Sequence, residues 1–161
     1  MAIPLYGQNA DGDNLQYSAD GKTGSKITWG DEDKTLEPGD LAGVKTFVYT
    51  TAAATSGTKT CYLPDAAKCD SKEVEFHFSV ASDAQASAIS TAAGGAFVGG
   101  IGVIKADDTH PGTIIQSNGS NTVLTLNDNI EPGGWIKVWS NGTNWYVSGF
   151  FMSADATAAF S

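Results

Sequence analysis

Arginine is absent from this chain, and all nine of its basic residues are lysine. Without a guanidinium fork there is no bidentate grip on phosphate or carboxylate. The formal net charge is -9. Double-stranded nucleic acid is held by clustered cations that displace its counterions. No such cluster occurs here, and an acidic surface repels DNA and anionic membranes alike. The sequence therefore predicts no nucleic-acid partner and no membrane partner. Long apolar runs are missing too: nothing approaches the ~20 residues of a membrane span. The opening Met1-Ala2-Ile3-Pro4-Leu5-Tyr6 has no basic region ahead of an apolar stretch. It does not read as a secretory signal, which makes the cytoplasm the expected place of synthesis.

Reactive side chains are scarce. Cys61 and Cys69 are the two cysteines, with no histidine near them in sequence, so they make a poor zinc site. A reducing cytoplasm favours two free, partly buried thiols; a bridge formed after cell lysis is the alternative. His77 stands beside Glu75 on an alternating strand and reads as solvated. His110 belongs to Asp107-Asp108-Thr109-His110-Pro111-Gly112, a turn by composition. Asp11-Gly12-Asp13-Asn14 lacks the ligand spacing and closing glutamate of a calcium loop. Gly94-Gly95 and Gly99-Gly100 lack the Lys-Ser/Thr of a phosphate cradle. No nucleophile, base and orienting group stand out together. The expectation is a chain that is not an enzyme and takes no metal or cofactor.

What the chain does have is 41% hydrophobic residues with only 17% charged, the balance being filled by small and turn-forming types. That mixture favours short strands and many turns over helices. A length of 161 residues fits one domain. Strands are expected at 44–50, 59–63, 74–80, 88–91, 102–105, 113–116 and 122–126. In the third, Val74, Phe76, Phe78 and Val80 point inward while Glu75, His77 and Ser79 point out. Asp65 to Asp70 reads as a turn or a single helical turn. The paired glycines break the chain around Ala96–Val98. The fold class expected is all-β, an antiparallel β-sandwich or barrel with an extended N-terminal arm.

The division that follows is an arm over 1–44, a body over 45–152 and a tail over 153–161. The first 44 residues hold eight acids and only scattered apolar anchors. Such a stretch buries too little surface to order alone. It reads as an arm that orders against a partner, with Ile3, Leu5, Tyr6, Tyr17 and Trp29 as candidate interface residues.

The last third carries the strongest local signal. Two strands flank Asn141-Gly142, a pair that supplies the positive φ of a two-residue hairpin turn. With Ser140 opposite Thr143, Val138 faces Trp145 and Ile136 faces Val147. The other face then carries Trp135, Lys137, Trp139 and Tyr146. Large groups on both faces of a strand pair call for a cover on both, so Trp135, Trp139 and Tyr146 join the candidate interface.

The wording Trp139-Ser140-Asn141-Gly142-Thr143-Asn144-Trp145-Tyr146-Val147-Ser148-Gly149-Phe150 resembles the closing hairpin of small β-rich structural proteins of tailed-phage virions. Upstream, Thr60-Cys61-Tyr62-Leu63-Pro64-Asp65-Ala66-Ala67 resembles their strand followed by Leu-Pro-x-Ala. Phe76-His77-Phe78 falls where they place a second strand. Ala88-Ile89-Ser90-Thr91-Ala92-Ala93-Gly94-Gly95 and Phe97-Val98-Gly99-Gly100 resemble their glycine-rich middle. The resemblance spans about residues 45–151 and finds no counterpart for 1–44. It implies a capsid decoration (cement) protein, made in the host cytoplasm and placed on the virion's outer shell. The implied partner is the major capsid protein of the same phage. A homo-oligomer is implied too, with a trimer favoured because decoration sites commonly lie at three-fold positions. Tail or fibre components that touch the host surface share similar hairpins and form one alternative. A carbohydrate-binding module is the other.

Overall fold

In a computed structural model the described residues are 15–17, 23–41, 45–50, 56–81, 86–91, 93–105, 112–126, 129–154 and 158–161. Among them the chain forms thirteen strands and one 3-10 turn. The strands are β1 (Leu15–Tyr17), β2 (Thr23–Trp29), β3 (Lys34–Thr35), β4 (Lys45–Thr50), β5 (Lys59–Tyr62), β6 (Glu73–His77) and β7 (Ser87–Ser90). They continue with β8 (Phe97–Lys105), β9 (Thr113–Gln116), β10 (Val123–Leu126), β11 (Ile130–Ser140), β12 (Trp145–Ser153) and β13 (Ala158–Phe160). The 3-10 turn covers Ala66–Lys68 and is capped by Asp65, whose side chain accepts from the Ala67 N–H.

Two sheets result. The larger has the order β1-β2-β4-β6-β11-β12-β8-β9 and the smaller β13-β10-β7-β5-β3. Period-two alternation sends one side of each strand inward. From the larger sheet Ile27, Trp29, Val48, Val74, Phe76, Ile136, Val138, Trp145, Val147 and Phe151 enter a single apolar cluster. From the smaller sheet and its flanks Leu36, Cys61, Leu63, Ile89, Leu124 and Leu126 enter the same cluster. The arrangement is sandwich-like, and the all-β expectation holds.

The sheets are mixed rather than antiparallel throughout. Parallel pairs join β2 to β4, β4 to β6, β12 to β8, β3 to β5 and β5 to β7. Parallel neighbours need crossovers, and here these run between sheets: β4 and β6, for example, are adjacent in one sheet while the intervening β5 lies in the other.

Residues 23–41 also differ from an arm. β2 lies between β1 and β4, with Ile27 and Trp29 in the core and Leu36 and Leu41 fully buried. Their apolar positions are too few in an acid-rich window to read as periodic. At the other end β13 pairs with β10, and Phe160 meets Phe97 edge to face at 5.8 Å. The residues expected to form a tail therefore include a sheet strand.

Gly99 and Gly100 do not break the chain; they lie inside the nine-residue β8. Gly99 has φ +114, and a Cβ there would collide with the Val147 carbonyl. Glycine lets β12 close on β8 rather than ending the strand. β11 begins well before the hairpin, at Ile130. Ile130 and Glu131 already pair with Ser153 and Met152, and the register then shifts before Trp135, as at a β-bulge.

The closing hairpin keeps its faces but not its register. Ser140 pairs with Trp145, Val138 with Val147 and Ile136 with Gly149. Residues 141–144 form a four-residue loop. The Asn141 side-chain oxygen accepts from the N–H groups of Thr143 and Asn144, and Ser140 Oγ accepts from the Gly142 N–H. These side-chain bonds replace the two-residue turn. A slip of two residues leaves every side chain on its original face.

Candidate functional site

The outward side of the larger sheet is the candidate site. The ladders align its side chains in three rows. One row runs Lys45, Glu73, Trp139, Tyr146, Val98. The next runs Lys26, Phe47, Glu75, Lys137, Ser148. A third runs Thr28, Tyr49, His77, Trp135, Phe150, Gly102, Ile114. Phe47, Tyr49, His77, Trp135, Trp139, Tyr146 and Phe150 are all half-buried.

The rings stack on one another. Trp139 and Tyr146 stack at 5.5 Å and 23°, and Tyr49 and His77 at 5.0 Å and 16°. Trp135 meets Phe150 edge to face at 5.8 Å. Lysines cover further ring surface: Lys26 Nζ lies 5.1 Å from the Tyr49 centroid, Lys45 Nζ 4.9 Å from that of Phe47, and Lys137 Nζ 5.6 Å from that of Trp139. Cross-strand aromatic pairs and cation–π contacts of this kind each contribute about 0.5–1.5 kcal/mol. The face is thus ordered before any partner arrives.

A charge network threads the rings. Lys45 contacts both Glu75 and Glu73, the latter at 3.1 Å, and Lys137 reaches Glu73 at 3.8 Å. Burial pushes the Glu75 carboxyl up, but the hydrogen bond and charge of Lys45, joined by His77, outweigh it and hold the group below the usual carboxylate range. For Lys45, burial acts downward; hydrogen bonds and charges from Glu75 and Glu73 prevail and raise it. His77 Nε2 lies 2.7 Å from Glu75 Oε1. The direction of approach misses hydrogen-bond geometry, so this buried nitrogen has a close charge neighbour without a directional bond.

Of the expected interface residues, the structure brings Trp135, Trp139 and Tyr146 together on this face. It places Trp29 elsewhere. That indole is 2% exposed, sits edge to face with Phe76 at 6.2 Å, and donates through Nε1 to the Glu32 carbonyl. It is a core residue, because the parity of β2 turns it inward beside Ile27. Tyr17 lies in β1, with its side chain outside the described region, and Ile3, Leu5 and Tyr6 lie outside the described residues. Sequence reasoning missed Phe47, Tyr49 and Phe150 as members of the face. The alternation of Phe47 and Tyr49 around buried Val48 was the available signal. Which sheet β4 joined was not.

Other chemistry is sparse. Among the described residues no group of three or more His, Cys, Asp or Glu is placed to hold a metal ion, and no helix is long and apolar enough to cross a membrane. Cys61 and Cys69 are free and buried. Burial pushes both thiols up, against small opposing effects of nearby lysines, which leaves them poor nucleophiles. A groove of about 540 Å³ runs past Leu36, Pro38, Tyr62, Pro64 and Lys68. Its lining brings no acid–base pair into hydrogen-bond contact. No family model, curated protein or solved structure matches the chain.

Proposed function

We propose that this chain is a virion structural protein that binds the outer surface of an assembled phage head through the aromatic face of its larger sheet. The observation that carries this reading is the way the rings are engaged. Trp139 is stacked on Tyr146 and approached by Lys137, and Tyr49 is stacked on His77 and approached by Lys26. A sugar ring needs an open aromatic face to lie on. A protein surface needs ordered ring edges, apolar area and a few desolvated charges, the makeup of an interface centre. Preordered rings lose little freedom on docking. The mechanism is passive: binding the closed shell and not its separated subunits stabilises the shell by mass action.

The test is co-sedimentation of the purified protein with expanded, accessory-free heads of its own phage, against a Trp135→Ala/Trp139→Ala double variant checked for native circular dichroism. Saturable binding by the wild type, weakened at least tenfold in the variant, supports the reading. Absence of binding to heads together with binding to host cells overturns it in favour of a fibre component. Binding to a soluble glycan panel alone overturns it in favour of a carbohydrate-binding module.

A further inference from the structure

We propose that β9 pairs with the β9 of a second copy of this chain, in antiparallel register about a two-fold axis at Ile114. Among the described residues β9 hydrogen-bonds to one strand, β8, and forms one edge of the larger sheet, with β13 of the smaller sheet lying near it. Proteins usually blunt such an edge with charge, proline, a bulge or extreme shortness. The two edges of the smaller sheet do so: β3 is two residues long and carries Lys34, and β13 is three residues long with Ala158 and Phe160 packed on the core. The four residues Thr113-Ile114-Ile115-Gln116 carry no charge and no proline, and Thr113, Ile114 and Gln116 are exposed.

The ladder fixes which backbone groups are free. Ser117 N–H donates to the Gly99 carbonyl at 2.9 Å. Hydrogen-bonded positions alternate in an antiparallel pair, so Ile115 and Thr113 address β8 while the N–H and C=O of Ile114 and Gln116 point off the edge. Directly opposed residues share a face. A two-fold through Ile114 lets each Ile114 N–H meet the other copy's Ile114 carbonyl and sets the two side chains together.

Apolar surface collects at the same corner. Ile114 is 75% exposed and Ile104 is 43% exposed, the exposed large hydrophobics among the described residues. Ile104 pairs with Met152, and Ile114 lies across Gly102 from Phe150, all on the aromatic side. Pairing would cover Ile114 and join the two aromatic faces into one. A second copy fits this edge better than a foreign strand because the edge is its own complement. It adds no like charge at the contact in a chain whose net charge of -9 otherwise opposes self-association.

The experiment uses the full chain, without shells, so it is independent of the proposed function. Sedimentation equilibrium from about 1 to 100 μM should give a dimer, converted to monomer by Ile114→Lys with unchanged circular dichroism. Ile114→Cys treated with a mild oxidant should give a covalent dimer on non-reducing gels, since opposed Cα atoms about 5.5 Å apart suit a disulfide. Gln116→Cys should not, because its opposite number in this register is Gly112 of the other copy. A monomer at all concentrations overturns the proposal. So does a trimer, or a dimer that survives Ile114→Lys and fails to cross-link through Ile114→Cys.

Discussion

Trp145 and Trp139 stand six positions apart in one hairpin and lead opposite lives. Trp145 is fully buried and donates through Nε1 to the Pro64 carbonyl at 3.1 Å. Trp139 is half-buried, stacked on Tyr146 and approached by Lys137. Residue type is the same, and so is the strand pair; only parity differs. The inward face of the larger sheet is closed by the second sheet and tolerates no unpaired polar group. The outward face holds comparable ring area but sets lysines and glutamates among the rings. One face therefore holds the fold together, while the other keeps its rings within reach of solvent.

The sharpest way to break that contrast is to truncate each ring in turn. Trp145→Ala should cost about 3–5 kcal/mol in urea unfolding, as large core truncations do, and it also strips the Pro64 carbonyl of its donor. A loss near that of an exposed site would mean that the inward face is not where stability resides. Gly99→Ala comes next. It forces a Cβ into a φ of +114 against the Val147 carbonyl and should cost about 1–3 kcal/mol of strain, read as a lower thermal midpoint. Trp139→Ala should cost only about 1 kcal/mol, the worth of an aromatic pair, while shell binding falls at least tenfold. Equal stability losses at Trp139 and Trp145 would erase the distinction between the faces.

How much of this was legible in the sequence follows from range. Alternation is local, so Val74, Phe76 and Phe78 were read as inward from five consecutive residues, and each is buried. The two faces of the closing hairpin were legible for the same reason, even though the loop runs two residues further on its C-terminal side than the Asn-Gly signal implies. Strand partnership is not local. The parallel addition of β2 to β4 joins residues about twenty positions apart, and no short motif announces it. Trp29 was for that reason assigned to an interface and found in the core. The face was half legible: Trp135, Trp139 and Tyr146 came from one hairpin, whereas Phe47, Tyr49 and His77 reached it through sheet order.

The smallest effect concerns the charges among the rings, and it tests whether the outward face is electrostatically organised. Glu75 is held below its usual range in the folded protein. Its contribution is therefore present above the unfolded carboxyl value and is lost as pH falls through the lowered folded value. Lys45 is raised, so its contribution is present below the unfolded ammonium value and is lost as pH rises through the raised one. Between those limits the network is intact. Its members are partly exposed, so the contribution should stay under about 1 kcal/mol and shrink in 1 M salt. Glu75→Gln should lower the urea midpoint slightly at pH 7, and the difference should shrink as the pH falls through the lowered carboxyl value, because the protonated wild-type carboxyl matches the amide in shape and charge. A difference that stays constant as the pH falls would show that Glu75 acts through packing alone. In that case the rings order the outward face by themselves, and the ion pairs among them add nothing to its stability.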